Sequence, residues 1–397
     1  MARWENIESV QLFREYLRIE SVHPNPDYEP CVSFFRRYAS SLGLPIMVVE
    51  AVPGKPVVII TWQGLCPELP SIMLNSHMDV VPVYEEHWTH PPFSAHLTAD
   101  GWVYGRGSQD TKQLAIQHLE AVRRLMQAGV RLRRTVHITV VPDEEIGGAE
   151  GMHAFTLTPE FRAMNVGLEL DESMPPADCG DDIVVFYGER TSIPFKLTAR
   201  AAPCHGALLP ANSVGDKLHY VLSKLFEMRT AERKKLESGI PLGLVTSINL
   251  TVLEGGVQVN VVPESLSAKF DVRLAPEVNL KDFQNKVLSW CEEAGDVTME
   301  VLQQKVQVPN TRIDDSNPFW VAIRDTAEKE GYQLTPVICP GATDAQYLRR
   351  AGVPALGLSP LPRTPLLLHS HDERLHVDSL VRGVGVFEKM VKALGDV

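Results

Sequence analysis

At 397 residues the chain is too long for one ordinary hydrophobic core and implies about two domains. Its 44% hydrophobic and 22% charged residues are those of a globular, enzyme-sized protein. The formal net charge of −12 disfavours nucleic acid or an anionic membrane as the main partner, because both select basic surfaces. No run of about 18 apolar residues offers a membrane span. The opening "MARWENIESVQLFREYLRIE" lacks the apolar centre of a signal peptide and reads as an amphipathic helix. Cys31, Cys66, Cys179, Cys204, Cys291 and Cys339 follow no metal-binding spacing, so reduced thiols in a cytoplasmic protein are expected.

In chain order, helical periodicity covers about 6–20 and 30–42, and extended, β-branched segments follow at 45–52 and 57–62. "SIMLNSH" at 71–77 is a short apolar run suited to a strand covered on both faces. A helix is predicted over about 112–128, with Gly129 as its stop. The strand "TVHITVV" leads into Asp143, Glu144 and Glu145, then a short helix near 150–156. The strand "VGLEL" at 166–170 leads into Asp171 and Glu172. This alternation predicts an α/β domain with a largely parallel sheet. From residue 188 the pattern changes. A strand at 193–201, a helix at 213–237, two alternating strands, a helix at 279–294 and a strand at 297–303 spell β-α-β-β-α-β, a small ferredoxin-like sandwich. The α/β rhythm resumes with helices at about 317–331 and from 377. The expected organisation is therefore a first domain in two parts, 1–187 and 305–397, with 188–304 inserted between them.

Imidazole and carboxylate groups gather where predicted strands end: His77 and Asp79, Asp110, Glu144 and Glu145, Asp171 and Glu172, and late in the chain His369, His371 and His376. In an open α/β sheet such positions converge at the carboxyl edge, where ligands bind. Imidazole plus carboxylate without paired thiolates suits a borderline divalent ion such as zinc. Asp110, Glu145 and Glu172 supply three negative charges, and a bridging hydroxide makes four, which balances two divalent cations. Asp79 shares a strand face with His77 and suits the outer carboxylate that accepts the other ring N–H of a metal-bound histidine. Glu144 and Glu145 are adjacent and point apart, so one can bind metal while the other acts as general base.

Taken together, "SHMDVVP", "HWTHPPF", "DGWVYGRGSQDTK", "VPDEEIGG", "ELDE", "GATDAQYLRRAGVPALG" and "RTPLLLHSHDERLH" resemble the M20 family of di-zinc metallopeptidases and deacylases, over about residues 10–390. The resemblance implies a zinc-dependent exopeptidase-type catalytic domain carrying an inserted lid and dimerisation domain. It implies two zinc ions per subunit, held by His77, Asp110, Glu145, Glu172 and His369, with Asp110 bridging. His369 is preferred to His371 because the family's ligand stands four residues before a glutamate, here Glu373. The resemblance also makes Asp79 the orienting carboxylate, Glu144 the general base and Asp110–Thr111 a cis peptide. His205 is implied as an oxyanion donor to the partner subunit's site. Asn260 and Arg273 are implied as substrate-carboxylate contacts, with Thr343 and Asp344 lining the pocket. Cys204 and the loop "ALLPANS" depart from the pattern, as do Thr111 and Ala345, and none of these is a ligand position.

The implied reaction is hydrolysis of N-acyl-L-amino acids by a metal-activated water, that is, a zinc-dependent amidohydrolase acting in amino-acid metabolism. A dipeptidase or another deacylase of the family is the nearest alternative, and a non-catalytic dimeric relative is one of another class. A two-metal phosphatase or nuclease is disfavoured by the acidic net charge.

Overall fold

The apolar run at 71–77 forms a central strand of an eight-stranded sheet in the computed structural model, which describes residues 2–303 and 306–397. Two units are distinguished: Met1–Tyr187 with Thr311–Val337 and Thr343–Val397, and Gly188–Asn310 with Ile338–Ala342. The expected boundary between 304 and 305 lies outside the described residues.

The eight-stranded sheet contains β1 (Ile46–Val52), β2 (Lys55–Trp62), β3 (Ser71–His77), β4 (Val136–Val141), β5 (Val166–Asp171) and β6 (Ile183–Glu189), with Leu334–Cys339 and Ala355–Leu358. Their order is β1-β2-β4-β3-β5, then Ala355–Leu358, β6 and Leu334–Cys339. The pairs β4–β3, β3–β5 and β5 with Ala355–Leu358 are parallel. The largely parallel expectation therefore holds only at the centre. The pairs β1–β2, β2–β4 and β6 with Ala355–Leu358 are antiparallel. On the β1 side the reason is local: Pro53 and Gly54 leave room only for a hairpin, and a parallel return needs a crossover of a dozen residues or more.

Every residue of β3 and β4 is buried. Alternate side chains enter different clusters. Ile72, Leu74, Ile138 and Val140 pack with Phe13, Tyr16 and Val10 of helix α1 (Glu8–Leu17) and Phe35 of α2 (Glu29–Leu42). Leu119 and Val122 of α3 (Lys112–Gln127) join the same cluster. Met73, Val57 and Ile59 pack instead with Phe155, Met152 and Leu348. Burial on both faces explains why these strands read as continuous apolar runs.

Among the polar side chains buried without a hydrogen-bond partner is a core histidine. His118 of α3 is fully buried against Phe387, and neither ring nitrogen has a hydrogen-bond partner among the described residues. Burial pushes its pKa down to about 3. The unfolded chain, with an imidazole pKa of about 6.5, takes up a proton first as pH falls. Stability is therefore intact above about 6.5 and is lost on acidification towards 3, by up to about 1.4 kcal/mol per pH unit. His118→Leu is expected to lose less stability than the parent chain between pH 6.5 and 4, read as melting temperature against pH. Parallel curves would contradict this.

In the second unit β7 (Phe195–Arg200), β9 (Ser247–Gly255), β11 (Ser265–Leu274) and β12 (Val297–Val301) form an antiparallel sheet in the order β9-β11-β7-β12, with a separate ribbon of β8 (Cys204–His205) and β10 (Val261–Val262). Helices α4 (Val214–Glu237) and α5 (Leu280–Ala294) lay Leu218, Val221, Phe283 and Val287 on Phe195, Leu197 and Phe270. Their starts are set by the sequence. Ser213 and Asp216 form a reciprocal capping box, and Asn279 caps α5. This is the expected ferredoxin-like order. All six cysteines are free. Among the described residues no helix is long and apolar enough to cross a membrane.

Candidate metal centre

The site grows from three neighbouring strands whose carboxyl ends face the same edge. His77 is the last residue of β3, Glu144 and Glu145 follow β4 after a turn, and Glu172 follows β5. Asp110 stands at the N-terminal entrance of α3, where the helix dipole favours an anion. The Asp110–Thr111 peptide is cis. His369 arrives from the late loop, its own backbone in the left-handed region at φ 59°.

These five side chains fall into two groups that share one member. Donor atoms of His77, Asp110 and Glu172 lie within 4.8 Å of one another, and so do those of Asp110, Glu145 and His369. Asp110 divides its oxygens between the groups: Oδ1 is 3.0 Å from His77 Nε2, and Oδ2 is 3.2 Å from His369 Nε2. His77 Nε2 is 3.5 Å from Glu172 Oε2, and His369 Nε2 is 3.0 Å from Glu145 Oε2. Two donors on one tetrahedral zinc, each at about 2.0–2.1 Å, would be about 3.3 Å apart.

The electrostatics show what the residues lack. Burial, then the Asp110 charge, pushes the Glu145 carboxyl up to about 7. Burial likewise drives Glu172 to about 8, against the opposing pull of His77 and with Asp110 adding to the rise. Burial alone would lower His77, but Glu172 and Asp110 outweigh it and raise it well above the ordinary imidazole range. Hydrogen bonds to Asp110 and Glu145 hold His369 at about 10. Three carboxylates this close require positive charge, and without a cation the raised proton affinities of His77, His369, Glu145 and Glu172 reflect that need. Glu145 Oε1 is also buried without a hydrogen-bond partner among the described residues. The donor set, its spacing, its charge and this open lone pair fit divalent cations.

The other expected site residues are placed as follows. Asp79 is fully buried, but its carboxylate is not the nearest acceptor for His77. His77 Nδ1 lies 2.9 Å from the Asp79 carbonyl oxygen and 3.6 Å from Oδ1. This differs from the expected side-chain geometry because β3 ends at His77, so the alternation of a strand stops before Asp79. The carboxylate accepts instead from the backbone N–H of Glu144 (3.2 Å) and Glu145 (3.0 Å) and from His23 (2.9 Å). Burial would raise the Asp79 pKa, but the bond from His23 and the nearby charge of His77 outweigh it and hold it below the usual carboxylate range. Glu144 belongs to neither donor group. Burial, then the Glu172 charge, raises its carboxyl well above normal, with Asp344 adding. Asp344 is buried, feels Asp171 and Glu172, and has Oδ2 without a hydrogen-bond partner among the described residues. Thr343 Oγ1 accepts from Ala345 N. In the second unit, Gly206 N donates to Asn260 O at 2.7 Å, which brings His205 and Asn260 to one ribbon. Arg273 lies on β11, with its guanidinium forked onto Asp271. Of the other late histidines, His371 packs against His87 and His376 caps the C-terminal helix, and neither joins the acidic cluster.

A supporting pair is not evident from the sequence, where Glu373 serves only as a spacing mark. Arg106 and Glu373 are both buried and paired at 2.7 Å. Glu373 also accepts from Gly107 N and Gln109 N, and Arg106 donates to His369 O. The pair thus ties the Asp110 loop to the His369 loop. Arg106→Ala leaves a buried carboxylate uncompensated and is expected to cost about 3–5 kcal/mol. Denaturant unfolding checks this, and a loss under about 1 kcal/mol would contradict it.

The two donor groups make a candidate metal centre, and comparison supplies the family. Residues 73–393 match the profile of Peptidase family M20/M25/M40. The chain belongs to this family. It is 48% identical to aminoacylase-1 of Sus scrofa over 391 residues, covering 98% of this chain and 96% of that one. It is 47% identical to aminoacylase-1 of Homo sapiens, covering 99% and 97%. Among solved structures, an M20 family metallo-carboxypeptidase from Sulfolobus solfataricus superposes with a TM-score of 0.72 at 17% identity, covering 98% of this chain and 99% of that one. A dinuclear metal-binding M20 peptidase from Bacillus subtilis gives 0.68 at 16% identity, covering 97% and 96%.

Proposed function

We propose that the protein hydrolyses N-acyl-L-amino acids to a carboxylate and a free L-amino acid, using two zinc ions per subunit. The observation that carries this reading is the division of Asp110 between two donor groups. Near full-length identity to aminoacylase-1 supports the substrate class.

His77, Asp110 and Glu172 would hold one ion, and Asp110, Glu145 and His369 the other. The chemistry supplied by such ions is polarisation of the acyl carbonyl and acidification of water to a pKa of about 7. Glu144 then takes a proton from the attacking water and delivers it to the amine nitrogen as the C–N bond breaks. Its raised pKa brings it towards the operating pH, as a general base needs. His205 of the partner subunit donates to the developing oxyanion. Asn260 and Arg273 hold the substrate carboxylate, and Thr343 and Asp344 line the pocket.

The protein acts as a cytoplasmic homodimer, with residues 188–304 as lid and dimerisation domain. Support for an interface comes from exposed apolar side chains in that segment, Leu209, Val257 and Val259. Stripping with chelator and restoring zinc is expected to abolish and return turnover of N-acetylmethionine, with a simple dipeptide turned over poorly. Preference for the dipeptide would overturn the assignment.

A further inference from the structure

The loop from Ser21 to Tyr28, between α1 and α2, lies outside the stretch that matches the family profile. It is nevertheless fastened to two of the loops that carry the centre, those after β3 and β4. Val80 N donates to Ser21 O at 3.0 Å, His23 N donates to Val80 O at 3.1 Å, and Ser21 Oγ donates to Met78 O. Val22 and Val80 form a parallel bridge. The loop after β3 is thereby laid along this segment, residue by residue.

Two side chains reach inward from it. His23 Nε2 is 2.9 Å from Asp79 Oδ2. Asp79 already accepts the backbone N–H groups of Glu144 and Glu145, so its carboxylate is the acceptor and the His23 ring is the donor. Five residues on, Tyr28 O–H donates to Asp143 Oδ1 at 2.6 Å, and Asp143 N donates back to Tyr28 Oη at 3.3 Å. Lys55 Nζ pairs with Asp143 Oδ2 at 2.6 Å. Asp143 is buried, holds a left-handed backbone at φ 64°, and directly precedes Glu144. That turn leads into Glu144 and Glu145, of which only Glu145 belongs to a donor group.

We infer that His23 and Tyr28 are positioning residues for the metal centre: His23 fixes the Asp79 carboxylate, and through it the Glu144–Glu145 backbone, while Tyr28 fixes the Asp143 turn from the other side. This rests on the reading of the five side chains as a metal centre. Without His23, a fully buried carboxylate loses one of its three donors and is free to turn away from the Glu144 and Glu145 N–H groups. Removing outer partners of metal ligands typically costs tenfold to a hundredfold in metal affinity or activity.

The test is zinc competition against a chromophoric chelator on the parent chain, His23→Ala, His23→Gln and Tyr28→Phe, with kcat, KM and metal-free melting temperature measured alongside. His23→Ala is expected to weaken zinc about 10–100-fold and to lower kcat with KM within about twofold. His23→Gln keeps a donor at the same reach and is expected to recover most of both. Tyr28→Phe keeps the ring and is expected to shift zinc affinity in the same direction as His23→Ala. A merely structural role would move the metal-free melting temperature and leave the glutamine variant no better than the alanine. That result, or zinc affinity within twofold of the parent in both His23→Ala and Tyr28→Phe, overturns the inference. A parent chain that binds no zinc overturns the reading beneath it instead.

Discussion

Glu144→Ala is expected to retain two metal ions per chain while kcat falls by about 10²–10⁴, the scale that general acid–base catalysis contributes. The separation of the two readouts follows from the turn after β4. Glu144 and Glu145 hang from backbone N–H groups held by the same Asp79 carboxylate, yet only Glu145 belongs to a donor group. Truncating Glu144 at Cβ leaves its N–H on Asp79 and leaves all five donor side chains in place. Metal analysis on the purified variant, with kcat on N-acetylmethionine, checks the outcome. Near-native kcat with two ions bound would remove Glu144 from the proton-transfer role.

Asp110→Ala is expected to do the opposite and strike the metals first. Each of the other four donors serves one group, whereas Asp110 serves both. Its loss leaves one group with His77 and Glu172 and the other with Glu145 and His369. Stoichiometry should fall below one ion per chain, and kcat/KM by about 10³ or more, equivalent to about 4 kcal/mol of lost transition-state stabilisation. His369→Ala is the informative comparison. His369 is the exposed member, with 56% of its side chain accessible, and its removal leaves the His77–Asp110–Glu172 group whole. One ion per chain is therefore expected for His369→Ala. Equal losses in the two variants would show that Asp110 does not bridge.

The strands that deliver the centre are legible because burial on both faces writes an uninterrupted apolar run, and an acid or imidazole at its end is conspicuous. Hence β3, β4 and β5, with His77, Glu145 and Glu172, can be read directly. The strands Ile183–Glu189 and Leu334–Cys339 cannot. One falls where the pattern already suggests a change of domain, and the other is a half-exposed run interrupted by Pro336. Asp79 is visible as a candidate, but its bonding is not, because period-two alternation ends one residue after the strand does. His23 and Tyr28 carry no periodic signal at all. They sit in a proline-punctuated loop, and their importance comes entirely from what the fold lays against them. The antiparallel flanks were hidden for a related reason, since apolar strand cores look alike whichever way a neighbour runs, and only the two-residue Pro53–Gly54 link betrays the hairpin.

The tie between Arg106 and Glu373 joins segments more than 260 positions apart. A polypeptide emerging from the ribosome therefore has no finished metal pocket until almost its whole length has been synthesised and packed. A product cut short before residue 369 would keep the His77, Asp110 and Glu172 group but lack the imidazole that completes the other.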